Sequence, residues 1–268
     1  MMKTDVISPE YMKLQEEISK LYNNWLQTIL EQEVVKKEEA NTRNYPNLPQ
    51  LDLQINVKEY FSFIQDLIKV VGENKPELGK VLEQLLPLLN EEVLKKWIIE
   101  AVAVNSYYFT DFAKEHGLPE WLPLFIAEHA ARPYIQKAAQ ELGETIPKEG
   151  HKGACPVCGE PSRLAFINKS GKKEITCPRC HFAWEEKKIS CAHCGNEEQG
   201  QVVILRVEDD ESAEIYACKT CKGYTKVIDI RKLLKVPAPE LLDLQTIHLD
   251  YVAQANGYGL LEDEEASH

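Results

Sequence analysis

Cysteine is absent from this 268-residue chain outside the stretch from Cys155 to Cys221. The chain also lacks an unbroken apolar run of the roughly 18 residues that a membrane-spanning helix needs. Even the apolar stretch from Trp97 to Phe109 is interrupted by Glu100 and Asn105. We therefore expect no membrane insertion.

A leader pattern is missing as well. Met1 to Glu10 contains no basic run followed by an apolar core, which a secretory signal would need. The sequence therefore predicts a cytoplasmic protein. In a reducing compartment, paired cysteines more often hold a metal ion than form a disulfide. A thioredoxin-like redox motif is disfavoured too, because the pairs lie among turns and strand-like segments.

Catalytic motifs are also missing. The chain has no Gly-x-x-x-x-Gly-Lys phosphate loop, no Gly-x-Gly-x-x-Gly after a strand and no Gly-x-Ser-x-Gly elbow. The short run Gly257-Tyr258-Gly259 does not substitute for any of them. Five of the seven histidines are candidate catalytic bases, and each stands singly in the sequence: His116, His129, His151, His193 and His248. The sequence therefore predicts no catalytic residue and favours a protein that is not an enzyme.

Charge argues against a nucleic-acid partner. The formal net charge is −12, and residues 151–235 carry 15 Lys and Arg against 12 Asp and Glu, so the rest of the chain carries −15. Two divalent ions on eight thiolates would bring residues 151–235 to about −1, which gives no long-range attraction to a polyanion. A zinc-ribbon nucleic-acid binder is thus the least favoured interpretation.

The eight cysteines form four Cys-x-x-Cys pairs, separated in chain order by 18, 10 and 23 residues. Two intervening residues let one tight turn aim both sulfurs at a single ion, and two such turns complete a tetrahedral site. Pairing consecutive turns predicts two sites. The first consists of Cys155, Cys158, Cys177 and Cys180, and the second consists of Cys191, Cys194, Cys218 and Cys221.

The spacing leaves other arrangements open. The first pair could instead join the third, and the second pair the fourth. Four thiolates in a tetrahedron suit zinc and also a single rubredoxin-type iron, so we expect two mononuclear ions of either metal. A site with four sulfur ligands has no open position for a substrate, which argues against hydrolysis at the metal.

The residue that follows each pair is informative. Gly159 and Gly195 come directly after the second cysteine of their pairs, where a positive φ would let backbone amides donate to the sulfurs. His181 and Lys222 occupy the equivalent positions in the other two pairs. Each predicted site therefore has one glycine-containing turn and one without glycine.

Residues 1–143 are predicted to be all-helical. Apolar residues recur at helical spacing from Pro9 to about Lys37, from Val57 to Val71, from Glu77 to Leu86, from Asn90 to Gly117 and from Trp121 to Leu142. Pro133 should break or kink the last of these helices. The apolar stripe of the first helix is typical of a face that packs in the core. A partner-docking groove or a homodimer contact along the same stripe is the alternative.

Short strand-like segments replace this periodicity further along the chain. Residues 144–153 contain Pro147, Gly150 and Gly153 and predict a linker. The first metal module is expected at 154–188 and the second at 189–235, with the acidic turn Glu208 to Glu211 between two strands of the second. Residues 236–268 are expected to form a C-terminal helix, from about Glu240 to Ala255, and an acidic tail. The predicted fold class is α+β, with a helical domain followed by two small rubredoxin-like or zinc-ribbon β modules.

This run of motifs resembles the formate dehydrogenase accessory protein family, FdhE. The similarity covers the four cysteine motifs: Cys155-Pro-Val-Cys-Gly159, Cys177-Pro-Arg-Cys180, Cys191-Ala-His-Cys-Gly195 and Cys218-Lys-Thr-Cys221. It also covers residues between and beyond the motifs, which are Trp184, Asp209, Asp210, Tyr224, Pro237 and Gly257-Tyr258, and Arg132-Pro133 upstream of them. The first hundred residues match only in helical character.

The resemblance implies a non-enzymatic maturation factor of the bacterial cytoplasm. Its partner would be the catalytic subunit of a formate dehydrogenase, bound during assembly and before export. The resemblance also implies two rubredoxin-like modules, with iron associated with them, and it assigns metal ligation to the eight cysteines. A redox protein that uses iron at one or both sites during client maturation is the alternative.

Overall fold

The computed structural model describes residues 6–36, 46, 48–51, 53–207 and 210–259. These residues divide into two compact units. The helical unit lies within Pro9–Ile146, and the sheet unit takes up most of the chain from Pro147 onward. The α+β class predicted from the sequence is confirmed. The residue limits predicted for the linker and for each metal module stay predictions.

Six α-helices make up the described part of the helical unit. They are α1 (Pro9–Thr28), α2 (Val57–Asn74), α3 (Gly79–Leu85), α4 (Glu91–Val102), α5 (Ser106–His116) and α6 (Trp121–Leu142), with 3-10 turns at Leu48–Gln50, Pro76–Leu78 and Leu86–Leu88. Helices α1, α2, α4 and α5 all pack against α6. The Tyr60 hydroxyl ties α2 to α6 by donating to the Ala127 carbonyl at 2.9 Å. Pro133 lies inside α6 and does not end it.

Helix α1 is shorter than its apolar periodicity predicts. It ends at Thr28, whose hydroxyl donates to the Trp25 carbonyl at 2.7 Å. Beyond α1, the amide of Val35 donates to the Glu141 carboxylate at 2.8 Å. In a longer helix this amide would have donated to a carbonyl of the helix itself. The end predicted for this helix, Lys37, lies outside the described residues.

The fourth predicted helix is in fact two. Val104 adopts a positive φ of 52° at the break, a conformation that a β-branched residue rarely accepts. Asn105 then caps α5, with its side chain accepting from the Tyr108 amide at 3.2 Å. The cap satisfies an amide at the start of the new helix, and this favours the break over a continuous helix.

The sheet unit contains one continuous sheet with the strand order β3-β2-β1-β6-β5-β4. The strands are β1 (Leu164–Ile167), β2 (Lys173–Thr176), β3 (Ala183–Glu186), β4 (Val202–Arg206), β5 (Ala213–Cys218) and β6 (Tyr224–Asp229). Strands β1–β3 and β4–β6 are each antiparallel, and β1 pairs with β6 in parallel, with Leu164 opposite Lys226. The strands of the two predicted modules thus form a single sheet.

Two helices, α7 (Pro239–Gln245) and α8 (Ile247–Ala255), pack on one face of this sheet. The single C-terminal helix predicted from the sequence breaks at Thr246, which is fully buried and whose hydroxyl donates to the Leu242 carbonyl at 2.8 Å. The sheet core contains Leu164, Phe166, Ala213, Ile215, Ala217, Ile228, Leu242, Leu249, Ala253 and Tyr258. No helix in the described part of the chain has the length and apolarity needed to cross a membrane.

A buried ion cluster fastens these helices to the sheet. The Lys226 ammonium on β6 is almost fully buried and lies 2.8 Å from carboxylate oxygens of Asp243 on α7 and Asp250 on α8. Asp243 also accepts from the Arg163 guanidinium at 2.8 Å. Removing one member of such a cluster leaves a buried charge with only part of its compensation, which is more costly than losing a surface ion pair.

We expect the substitution Asp243→Asn to lower the free energy of unfolding by about 3 kcal/mol. The matched control is Glu214→Gln, which removes a surface partner of Arg206 and should cost less than about 1 kcal/mol. Urea titrations of the full-length variants measure both values. Equal effects of the two substitutions would contradict a structural role for the cluster.

The loss of stability caused by Asp243→Asn, relative to the unaltered chain, should depend on pH. Burial alone would raise the pKa of Asp243, but Lys226 and Arg163 outweigh it and lower the pKa. A lowered pKa stabilises the folded state above the unfolded value of about 3.9, and the benefit is lost as pH falls through the folded pKa. The deficit of Asp243→Asn should therefore persist at neutral pH and shrink below about pH 4.

Candidate metal centres

The four cysteine turns share one backbone pattern. In each turn, the amide of the first cysteine donates to the carbonyl five residues later, at 2.7 Å for Cys155, 3.0 Å for Cys177, 2.9 Å for Cys191 and 2.9 Å for Cys218. In three of them, the residue after the second cysteine donates back to the carbonyl of the first at 2.9–3.0 Å. Each turn is thus closed, and both of its sulfurs are held on one side.

The position after the second cysteine is left-handed in all four turns. Gly159 and Gly195 have φ values of 81° and 77°, as their residue type predicts. His181 and Lys222 adopt φ values of 62° and 59°, although neither is glycine. His181 is held there by Glu240, 2.8 Å from its Nε2, and Lys222 lies 5.7 Å from the centre of the Tyr258 ring.

The sulfurs meet in two groups of four. Within each group all sulfurs lie within 4.8 Å of one another, and the groups are Cys155, Cys158, Cys177, Cys180 and Cys191, Cys194, Cys218, Cys221. Consecutive turns therefore come together, as predicted, and the interleaved arrangement is not formed. We call these groups the first and second quartets.

The spacing of the sulfurs fits a tetrahedral ion. Metal–sulfur bonds of about 2.3 Å in a tetrahedron place the sulfurs about 3.8 Å apart. The sulfurs of Cys155 and Cys180 are 3.5 Å apart, those of Cys191 and Cys221 are 3.5 Å apart, and those of Cys194 and Cys218 are 3.8 Å apart. Both quartets could hold a metal ion, and the ligation itself and the choice between zinc and iron stay predictions.

Backbone amides point at the sulfurs. Cys180 donates its amide to the Cys177 sulfur and Cys194 donates its amide to the Cys191 sulfur, each at 3.5 Å. Such bonds stabilise the thiolate form that a metal needs. For Cys218, burial would raise the pKa, but the amides of Cys221 and Thr220 and the neighbouring thiols lower it to about 7.

The two quartets differ in exposure. All four cysteines of the first are buried, whereas Cys194 and Cys221 of the second are exposed. A cavity of about 410 Å³ opens beside these two cysteines. His193 and Tyr224 also line it, with the His193 Nε2 atom 2.8 Å from the Tyr224 carbonyl oxygen. Sequence spacing gives no sign of this difference in exposure.

Other histidines that stand singly in the sequence have local partners. The Nε2 atom of His151 lies 2.7 Å from the Pro147 carbonyl, and the Nδ1 atom of His116 lies 2.8 Å from the Phe112 carbonyl. His129 is buried against the Tyr22 hydroxyl, and His248 lies 3.6 Å from Asp210. In the described residues, the groups of metal-ligating side chains are the two cysteine quartets.

Comparison with known proteins gave two curated relatives. The chain is 24% identical to a protein FdhE homolog of Aquifex aeolicus over 210 residues, which is 76% of this chain and 69% of the relative. It is 34% identical to a protein FdhE homolog of Pseudomonas aeruginosa over 96 residues, 32% of this chain and 30% of the relative. No family model matches the chain.

The fold matches a solved structure. The crystal structure of the FdhE protein from Pseudomonas aeruginosa superimposes with a TM-score of 0.61 at 18% identity, covering 93% of this chain and 90% of that one. At this identity the match shows a shared fold. Together with the two relatives, it confirms the resemblance that the cysteine motifs indicate.

The difference in exposure predicts a difference in reactivity. In protein loaded with metal at both quartets, iodoacetamide should modify Cys194 and Cys221 several-fold faster than any cysteine of the first quartet, because a reagent must reach the sulfur to react. Peptide mass mapping over a time course measures the eight rates. Equal rates, or faster modification of the first quartet, would contradict the exposure seen in the structure.

Proposed function

Since its relatives and its fold support the assignment of this chain to the FdhE family, we propose that it is an accessory protein in the maturation of a formate dehydrogenase. Its partner is the catalytic subunit of that enzyme, which it binds during assembly in the cytoplasm. The observation that carries the proposal is the fold-wide similarity to FdhE proteins combined with two cysteine quartets.

The proposed role does not include catalysis. A quartet of thiolates around an ion fills its coordination, so a substrate has no free position to occupy. Around the second quartet, the neighbouring polar side chains are already engaged: Tyr224 donates to Asp250 at 2.8 Å, and Arg163 is bonded to Asp243 and Glu160. Both side chains thus join the strands of the sheet unit to α7 and α8.

The ions would be structural. A zinc or iron ion in each quartet would tie two closed turns together and replace four thiol protons by one multivalent charge. In the first quartet, Cys155 precedes β1 and Cys177 follows β2, so both lie at the open end of the β1–β2 hairpin, and an ion there would also fix the pairing of these strands.

Co-purification tests the proposal. A tagged full-length chain should retain the formate dehydrogenase catalytic subunit, and Cys177→Ser or Cys218→Ser should reduce this retention, because each disrupts one quartet. The matched control is Ser170→Ala, at an exposed turn away from both quartets. A client that never co-purifies, or one retained equally after residues 151–268 are removed, would refute the proposed role of the metal modules.

A redox role for iron is the second candidate, and the exposure of Cys194 and Cys221 favours it. An ion with two exposed ligands would lie closer to an electron donor at the surface than an ion enclosed by four buried ligands. Visible absorption of anaerobically purified protein distinguishes the two, because iron–thiolate charge transfer is coloured and zinc–thiolate is colourless. Colourless, zinc-loaded protein that still supports client maturation would rule out the redox role. Homodimer formation stays a prediction.

A further inference from the structure

The two turns of the second quartet are joined by a side chain that is not a cysteine. These are the third turn, Cys191 to Asn196, and the fourth turn, Cys218 to Gly223. His193 lies inside the third turn, and its Nε2 atom is 2.8 Å from the carbonyl oxygen of Tyr224, the residue that follows the fourth turn. A carbonyl oxygen can only accept a hydrogen bond, so this nitrogen carries a proton and donates it.

Gly223 lets the imidazole ring come close to the fourth turn. A Cβ atom added at Gly223 would lie 2.8 Å from both the Cγ and the Cδ2 atoms of His193, and 3.2 Å from its Cβ atom. The two closest distances are shorter than a side-chain carbon accepts, so the ring packs on backbone that glycine leaves bare. The Gly223 carbonyl also accepts from the Cys218 amide at 2.9 Å, so this backbone is part of the closed turn.

The Tyr224 carbonyl lies where the strands leave it without a ladder bond. Gly223 bonds to β5, and backbone groups alternate in direction along a strand, so those of Tyr224 point away from β5. On the other side, the parallel pairing of β1 with β6 begins only at Lys226, opposite Leu164. His193 therefore supplies the donor for a carbonyl at the start of β6.

A second contact between the same turns is more exposed to water. Thr220 precedes Cys221 as His193 precedes Cys194, so it occupies the corresponding position of the fourth turn. Its hydroxyl accepts from the Asn196 side-chain amide at 3.0 Å, and Thr220 itself is exposed. Because water can replace either partner of this bond, it should hold the turns together less firmly than the packed ring of His193.

The second quartet has more need of such a connection than the first. Cys194 and Cys221 are exposed, so a competing ligand can reach them, whereas all four cysteines of the first quartet are buried. Side chains around a metal site that fix the orientation of its ligands raise the affinity for the ion.

We infer that His193 is a positioning residue of the second metal site: it holds the third turn against the fourth through its packing on Gly223 and its bond to the Tyr224 carbonyl. Loss of His193 speeds the release of an ion from the second quartet and leaves the first quartet unchanged. This goes beyond the proposed function, because metal release can be measured whether or not the client is a formate dehydrogenase.

A chelator challenge of the zinc-loaded full-length chain tests the inference. Samples taken over time from excess EDTA are pulsed with iodoacetamide and mapped by peptide mass, so that the buried Cys191 and Cys218 report when the second quartet opens. We expect this quartet to open roughly tenfold faster in His193→Ala than in the unaltered chain, with unchanged rates at the first quartet. The matched control Thr220→Ala should behave as the unaltered chain does.

Two conservative variants separate the hydrogen bond from the packing. His193→Gln keeps an N–H donor that can reach the same carbonyl, and we expect it to release zinc nearly as slowly as the unaltered chain. His193→Phe keeps a ring without the donor and should release zinc faster than His193→Gln. Release from His193→Phe as slow as that from His193→Gln would overturn the role of the hydrogen bond.

Gly223→Ala tests the contact from the other turn, and it keeps the test valid if His193→Ala does not fold. Its Cβ atom would push the ring away, so release from the second quartet should again be faster. Added to His193→Ala, the same substitution should have little further effect, because the two closest ring atoms are gone. Additive effects of the two substitutions would contradict the contact.

The comparison between the quartets identifies a general loss of stability. Equal release from the second quartet in His193→Ala and in the unaltered chain would overturn the inference, and so would release that is accelerated equally at both quartets. A second quartet that takes up no zinc in the unaltered chain would overturn the inference together with the predicted metal site.

Discussion

The closed cysteine turn is the geometric constraint on which the sheet unit depends. The same turn recurs four times, and each time a left-handed residue follows the second cysteine. In both halves of the sheet unit, one turn precedes a hairpin and the next follows it, before a third strand. Each half is therefore a turn, two strands, a second turn and a strand, and this order brings two turns to the same end of a three-stranded meander.

Neither half is large enough to bury a substantial core alone, because domains below about 70 residues often need metals or other cross-links. The parallel pairing of β1 with β6 joins the halves into one sheet, and α7 and α8 cover one face of it. The ion cluster around Lys226 fixes those helices. The cysteine quartets, the sheet pairing and the buried cluster are thus successive levels of one assembly.

Sequence reasoning succeeds where the signal is local. The pairing of turns into quartets follows from two-residue spacings and short hairpins, and α2 and α6 follow from helical periodicity. The predicted helix limits were wrong where a polar contact competes with helical periodicity: one predicted helix is broken at Val104 and another at Thr246. Sequence reasoning also missed the parallel contact of β1 with β6, because strands 60 residues apart leave no local signal. It missed the ion cluster around Lys226 too. A signal for it was available, because Asp243 and Asp250 are seven residues apart and so share one face of the predicted helix.

Native mass spectrometry of the purified full-length chain, with single-cysteine variants of each quartet, tests the central claim most directly. The account predicts two bound metal ions in the unaltered protein. It also predicts one ion in Cys155→Ser and one in Cys191→Ser, the remaining ion belonging in each case to the intact quartet. A chain that carries no metal, or whose mass shows disulfides joining the paired cysteines, would contradict the account.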